Sequence, residues 1–187
     1  MTLLVELNDF NDNHRTISQS LYNNGNLNQH ISDAQFVDVQ KLMGIDFFND
    51  MLRNSTDTKY SKLLDKSDYN YKGKTYTNVG LKSVIVFYAY SRYLMFGSNV
   101  QTPFGLVQKQ GNNSQEISFA EKKMMSKMNE QTAYNYWENV RLFIERNKED
   151  YPLWKDNCIV QHQSFRISKI SRDERKNRED WRFNTDN

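Results

Sequence analysis

Leu81-Lys-Ser-Val-Ile-Val-Phe-Tyr-Ala-Tyr-Ser-Arg-Tyr-Leu-Met-Phe96 is the most hydrophobic stretch of the 187-residue chain, and its reading decides the fold. Apolar residues cover nearly its whole circumference, Lys82 and Arg92 are its only charges, and Gly97 is a natural stop. A helix that is apolar all round has to be touched on several sides. It is also too short and too rich in Tyr to cross a bilayer. It is expected to form the buried centre of a mainly α fold, a helical bundle with the other helices laid around it.

Downstream, Ser118-Phe-Ala-Glu121 has the pattern of a capping box, and the helix it opens can run to about Lys148 before Pro152 stops it. About thirty residues at 1.5 Å each make about 45 Å, the width of the whole domain. Ala133, Tyr136, Trp137, Val140, Phe143 and Ile144 form its apolar stripe at helical spacing. Met124, Met125 and Met128 line its first part, where core packing is expected of them and an adaptable binding face is the alternative. Tyr151-Pro-Leu-Trp154 then folds back as an aromatic clasp.

Upstream, Ser32 and Gln35 are spaced as a second capping box, flanked by Ile31 and Phe36 as a hydrophobic staple. Apolar residues recur as Phe36, Val39, Leu42 and Met43, then as Ile45, Phe47, Phe48, Met51 and Leu52, with a break expected at Gly44. Residues 59–66 fit one short helix. Tyr69 to Tyr76, centred on Gly73, reads as a small β-hairpin with Tyr69, Tyr71 and Tyr76 in cross-strand contact. The Asn-rich residues 1–30 read as an N-terminal arm or edge element, with one strand over residues 15–22. The expected organisation is therefore an arm or edge strand over 1–30, a helical domain over 31–157, and an extended docking arm over 158–187.

Composition narrows the function. Lys and Arg number 25 against 23 Asp and Glu, a formal net charge of +2, which argues against a uniformly basic nucleic-acid binder. Hydrophobic residues are 37% even with Tyr counted, so the core has to be built from the 11 Phe, 11 Tyr and 3 Trp. The first ten residues are too short and acidic for a signal peptide, and one cysteine, Cys158, excludes an internal disulfide and suggests a reducing compartment. No dinucleotide or phosphate loop, zinc-protease motif or nucleophile elbow occurs. Cys158 and His162 supply two of the roughly four ligands a zinc site needs. The carboxylate pairs Asp33/Asp38 and Glu149/Asp150 are expected to be solvated. No catalytic residue, metal or cofactor is expected.

Two segments look made for contact. Ser98 to Ile117 is too long for a plain connection, and its apolar Pro103-Phe104-Gly105-Leu106-Val107 is expected to dock on a neighbour or on the chain's own body. Residues 160–187 hold seven basic and five acidic residues, so the rest of the chain sums to zero charge. Phe165, Ile167 and Ile170 offer an alternating strand, Arg166, Lys169 and Arg172 offer cations, and Trp181 and Phe183 offer end anchors for a docking arm. A small helical nucleic-acid-binding protein using this basic tail is the alternative reading.

Taken in order, Ile31-Ser-Asp-Ala-Gln-Phe36, Gly80-Leu-Lys, Tyr88-Ala-Tyr-Ser-Arg-Tyr93, Thr102-Pro-Phe-Gly105 with Val107, and Tyr151-Pro-Leu-Trp154 resemble the head–tail connector proteins of tailed bacteriophages. The resemblance is nearest to the adaptor or ring proteins of phages infecting Bacteroidetes, including the crAss-like podoviruses, and covers about residues 30–155. It implies a mainly helical virion protein, assembled in the host cytoplasm into a closed ring of about twelve copies. Its implied partners are further copies of itself, the portal protein and other connector or tail rings. Genomic DNA would pass through the channel without sequence-specific binding. The resemblance implies no catalysis, cofactor or membrane.

Overall fold

The computed structural model describes residues 2–15, 17, 26–97, 99–102, 105–108 and 117–155, with backbone alone for Asn26, 99–102 and 105–108. The order is α1 (Leu7–Asp12), α2 (Asn26–Asp33), a π-helical segment (Ala34–Val39), α3 (Gln40–Met43), α4 (Ile45–Arg53), α5 (Thr58–Leu64), β1 (Ser67–Tyr71), β2 (Lys74–Asn78), α6 (Leu81–Phe96), β3 (Asn99–Thr102), β4 (Gly105–Gln108) and α7 (Phe119–Arg146). The fold is mainly helical, with a small antiparallel hairpin and one long C-terminal helix.

The quoted stretch is α6, and it is the hub. Leu81, Val84, Ile85, Val86, Phe87, Ala89 and Ser91 are buried, and α1, α2, the π-helical segment, α5 and α7 all pack against it. Its start is fixed by Gly80 at φ 84°. A Cβ there would stand 2.7 Å from the Leu64 carbonyl oxygen, so the end of α5 and the start of α6 can come this close only across a glycine. The two charges of α6 are tied down. Lys82 Nζ lies 2.8 Å from Asp65 and 3.9 Å from Asp9, and Arg92 holds Asp38 through two hydrogen bonds of 3.0 Å. Asp38 is thus half-buried and paired, not solvated as its position on the helix suggested. The chain closes on Arg92 from the π-helical segment, and burial there raises the Asp38 carboxyl above its ordinary range despite the guanidinium.

The helix expected to begin at Ser32 begins earlier. Ser32 lies inside α2, and Gln35 is buried within the π-helical segment. Gln35 makes no cap. Its Oε1 accepts from Leu4 N and its Nε2 donates to Thr2 O, both at 3.0 Å. Ile31, Gln35, Val39 and Met43 are all buried at a strict spacing of four. An α-helix would let that row drift round its surface, and the wider i→i+5 turn brings it back into line. Gly44 breaks the pattern as expected, at φ 82°.

The N-terminal arm is wrapped on its own body. Leu4, Val5, Leu7, Phe10 and Ile17 are buried, and α1 stands where the sequence left an irregular arm or strand. Glu6 and Asp9 close a capping box at its start, a signal too short to stand out. The expected strand fails at Arg15 and Ile17, which are not in a strand; residues 18–22 lie outside the described residues.

The first hairpin pairs Tyr69 with Tyr76 and Tyr71 with Lys74. Lys72 and Gly73 both take positive φ, 50° and 76°, as a two-residue hairpin turn requires. The Tyr69 and Tyr76 rings stack at 5.7 Å, and Tyr69 meets Phe143 edge-on at 4.9 Å. Two asparagines fix the hairpin to the helices: Asn78 Nδ2 donates to Lys62 O at 2.8 Å, and Asn139 Oδ1 accepts from Val79 N at 3.0 Å. The long connection after α6, read as loop, contains a second hairpin, β3–β4, pairing Val100 with Val107. Four-residue strands gave too little alternation to read. Beyond α7, Tyr151 and Trp154 are buried against Phe47, and Tyr151 Oη donates to Lys59 O at 2.7 Å, so the aromatic clasp forms.

Phe87 has the Tyr136 ring at 5.0 Å and the Arg15 guanidinium over its face at 4.7 Å. Phe87→Ala is expected to cost about 3–5 kcal/mol in urea unfolding. A loss below about 1 kcal/mol would mean that the hub does not depend on this ring.

Candidate functional site

No group of three or more His, Cys, Asp or Glu side chains among the described residues could hold a metal ion, and no described helix is long and apolar enough to cross a membrane. The contact segments read from sequence fall mostly outside view. Pro103, Phe104, Phe165, Arg166, Ile167, Lys169, Ile170, Arg172, Trp181 and Phe183 lie outside the described residues. Leu106 and Val107 fall on β4, with backbone alone described.

What the structure brings forward is the first half of α7. Ser118 caps it as expected, accepting from Glu121 N while the Glu121 carboxylate accepts from Ser118 N at 3.0 Å. From Ala133 onward the helix is conventional: Ala133, Trp137, Val140, Phe143 and Ile144 are buried. Before Ala133 the pattern inverts. The inward residues are Lys122, Ser126 and Asn129, while Met124 is 61% exposed, Met128 62% and Phe119 69%. The expected core role of the methionines is therefore wrong for Met124 and Met128, and Met125 is only half-buried. The physical reason is the helix period. Stepping back from Ala133 and Trp137 by threes and fours lands on Asn129, Ser126 and Lys122, which puts Met124 and Met128 on the opposite side.

The polar inner face is satisfied locally. Ser91 Oγ and Ser126 Oγ are 2.8 Å apart, and Ser91 also donates to Glu130 at 3.2 Å. Asn129 accepts from Arg15 Nε at 3.0 Å and donates to Met125 O at 2.7 Å. This half of α7 is held by hydrogen bonds, with its large apolar side chains turned to solvent.

Clefts flank it on both sides. One, of about 330 Å³, lies between Arg15, Tyr90, Met125 and Met128. The other, of about 370 Å³, lies between Arg92, Met95, Phe96, Lys123 and Lys127. Phe96, at the end of α6, is 54% exposed beside the second cleft. Lys123 and Lys127 are exposed and form no ion pair among the described residues, whereas the acids beside them, Glu121 and Glu130, are engaged by Ser118 and Ser91. The surface thus mixes exposed methionines and lysines with the carboxylates of Glu121 and Glu130. A third cleft, of about 460 Å³, lies at α1 between Asp9, Asp12, Asp65 and Lys82, where Lys82 pairs with Asp9 and Asp65.

These features define a mainly helical protein whose distinctive surface is suited to contact. The chain matches a family of unknown function, DUF6712, over residues 39–164, and belongs to it. No curated protein and no solved structure matches it.

His30 sits edge-on to Tyr93 at 6.3 Å, and burial holds its pKa below the ordinary value, with Asp33 opposing and Arg92 reinforcing the shift. A lowered folded pKa means that the unfolded chain takes up the proton first, so this contribution to stability is lost as pH falls through about 6.5. His30→Gln should flatten the fall in melting temperature between pH 7.5 and pH 5.5. An unchanged slope would remove His30 as its source.

Proposed function

We propose that this chain is a structural virion protein, a subunit of a ring in the head–tail connector of a tailed bacteriophage, set between portal and tail around the DNA channel. The observation that carries this reading is the inverted first half of α7. Isolated globular proteins expose single apolar residues at random, but a grouped apolar face over polar, hydrogen-bonded packing marks a surface made to be covered by another protein. Phe and Met are the side chains favoured at the centre of such contacts.

Other features support the same reading. A closed ring needs two different patches on each subunit, one for each neighbour. Residues 1–159 carry no net charge, which suits a channel through which DNA has to slide without sticking. Pro103 and Phe104, which follow β3 in the sequence, and the charged stretch that holds Trp181 and Phe183 would serve as further contacts to portal and tail partners.

Met124→Glu with Met128→Glu should leave the melting temperature of the isolated chain within the few degrees expected of surface substitutions. The same pair should abolish higher oligomers in negative-stain images and sedimentation velocity. A destabilised monomer would place the methionines in the protomer's own core, and normal oligomers would contradict the assembly role. Phe104→Asp should likewise leave the circular dichroism of the monomer unchanged and weaken assembly; unfolding would assign that residue to the intrachain core.

A further inference from the structure

We propose that the cleft between the end of α1, α6 and the first half of α7, with Arg15 in its wall, is a binding site for a small carboxylate that carries an apolar body. The site is independent of the ring reading. Its lining includes Arg15, His14 and Asn129, the Tyr90 ring and the thioethers of Met125 and Met128. Its volume of about 330 Å³ is at the lower end of the roughly 300–1,000 Å³ of ligand clefts, which limits the occupant to a small molecule. No described carboxylate lines it, whereas Glu130 lines the cleft at Phe96 and Asp9, Asp12 and Asp65 line the one at α1.

Arg15 is half-buried and forms no ion pair among the described residues. Arg92, by contrast, is held by Asp38, and Arg141 by Glu138 and Glu145. Neutral groups alone hold Arg15. Its Nε donates to Asn129 Oδ1 at 3.0 Å and its Nη1 donates to His14 O at 3.2 Å. Its guanidinium carbon lies 4.7 Å from the centre of the Phe87 ring and 5.7 Å from that of Tyr90. Asn129 is buried and is itself oriented by its bond to Met125 O. A cation withdrawn from water is ordinarily matched by an acid. These bonds engage two of the five N–H donors of the guanidinium, so it is fixed in place with donors left to offer.

A helix stop puts Arg15 in this position. His14 ends α1 at φ 56°, with His14 N donating to Asn11 O at 2.9 Å and Arg15 N to Phe10 O at 2.8 Å. That left-handed turn, usually given to glycine, brings Arg15 over the rings of α6. A guanidinium edge matches both oxygens of a carboxylate in one plane, which a lysine cannot do. Beside it, Met125, Met128 and Tyr90 offer adaptable apolar contacts suited to a ring or a short hydrocarbon. A bare inorganic anion would leave that wall uncovered, and an uncharged ligand would leave the guanidinium unmatched.

Methionine-methyl NMR of the full-length chain, with benzoate as the probe, tests this. Benzoate should shift the methyl signals of Met125 and Met128 saturably, with a dissociation constant of about 1 mM. The signals of Met43 and Met51, buried in the core, and of Met124, outside the cleft, should stay in place. Benzamide, which keeps the ring without the charge, and inorganic phosphate, which keeps the charge without the ring, should each bind at least about tenfold more weakly. Arg15→Lys keeps the charge but loses the planar fork and should weaken benzoate at least about tenfold. Should that variant not fold, Met128→Glu decides: the position is exposed, so melting should be unchanged, while the added carboxylate should repel benzoate to the same extent. Benzoate that shifts neither methyl, that shifts Met124 as much as Met125 and Met128, or that binds no better than benzamide or phosphate would overturn the site. Undiminished binding to Met128→Glu, or to a folded Arg15→Lys, would overturn it as well.

Discussion

The packing of α7 along α6 is the constraint on which the rest depends, because one seam has two chemistries. Over its second half, Trp137, Val140 and Ile144 complete an apolar core around the start and middle of α6. Over its first half the contact is Ser91 against Ser126, with Arg15 against Asn129 beside it. Hydroxyls and amides hold two helices close without burying large side chains. Each such bond adds about 0.5–1.5 kcal/mol, against about 1.5–3 kcal/mol for a fully buried Leu or Met. The chain therefore forgoes burial at this end and leaves Phe119, Met124 and Met128 exposed.

The same economy recurs around the hub. Buried or half-buried polar side chains set the positions of elements that apolar packing alone would leave free to slide. Gln35 holds residues 2–4, Asn78 and Asn139 hold the first hairpin, and Lys82 and Arg92 draw α1 and the π-helical segment onto α6. The contacts of Gln35, Asn78 and Asn139 bond backbone groups that would otherwise lack these partners. They also explain how a chain with mean hydropathy of −0.86 closes around a core of rings.

The fold was legible where one physical signal dominated. The all-round apolar stretch at 81–96, the Ser118 capping box, the glycines at 44 and 73 and the aromatic clasp each had one structural solution. Where two signals competed, the sequence misled. Ser32 and Gln35 had the spacing of a capping box, but Gln35 was needed to hold the N-terminal backbone, and the helix runs through both residues. Met124 and Met128 looked like core by residue type, yet the helix phase set by Ala133 and Trp137 turns them outward. That phase was readable in the sequence; residue type outweighed it. Residues 103–104 and 156–187, on which most of the sequence-based contact residues fall, lie outside the described structure.

Hydroxyl-radical footprinting of the methionines tests the central claim most directly, because oxidation follows exposure. Met43 and Met51 are buried in the protomer and serve as internal controls that should stay protected throughout. In the isolated chain Met124 and Met128 should oxidise rapidly, and in the assembled particle they should become as protected as Met43. Equal oxidation of Met124 and Met128 in both states would contradict the account, as would their protection in the isolated chain.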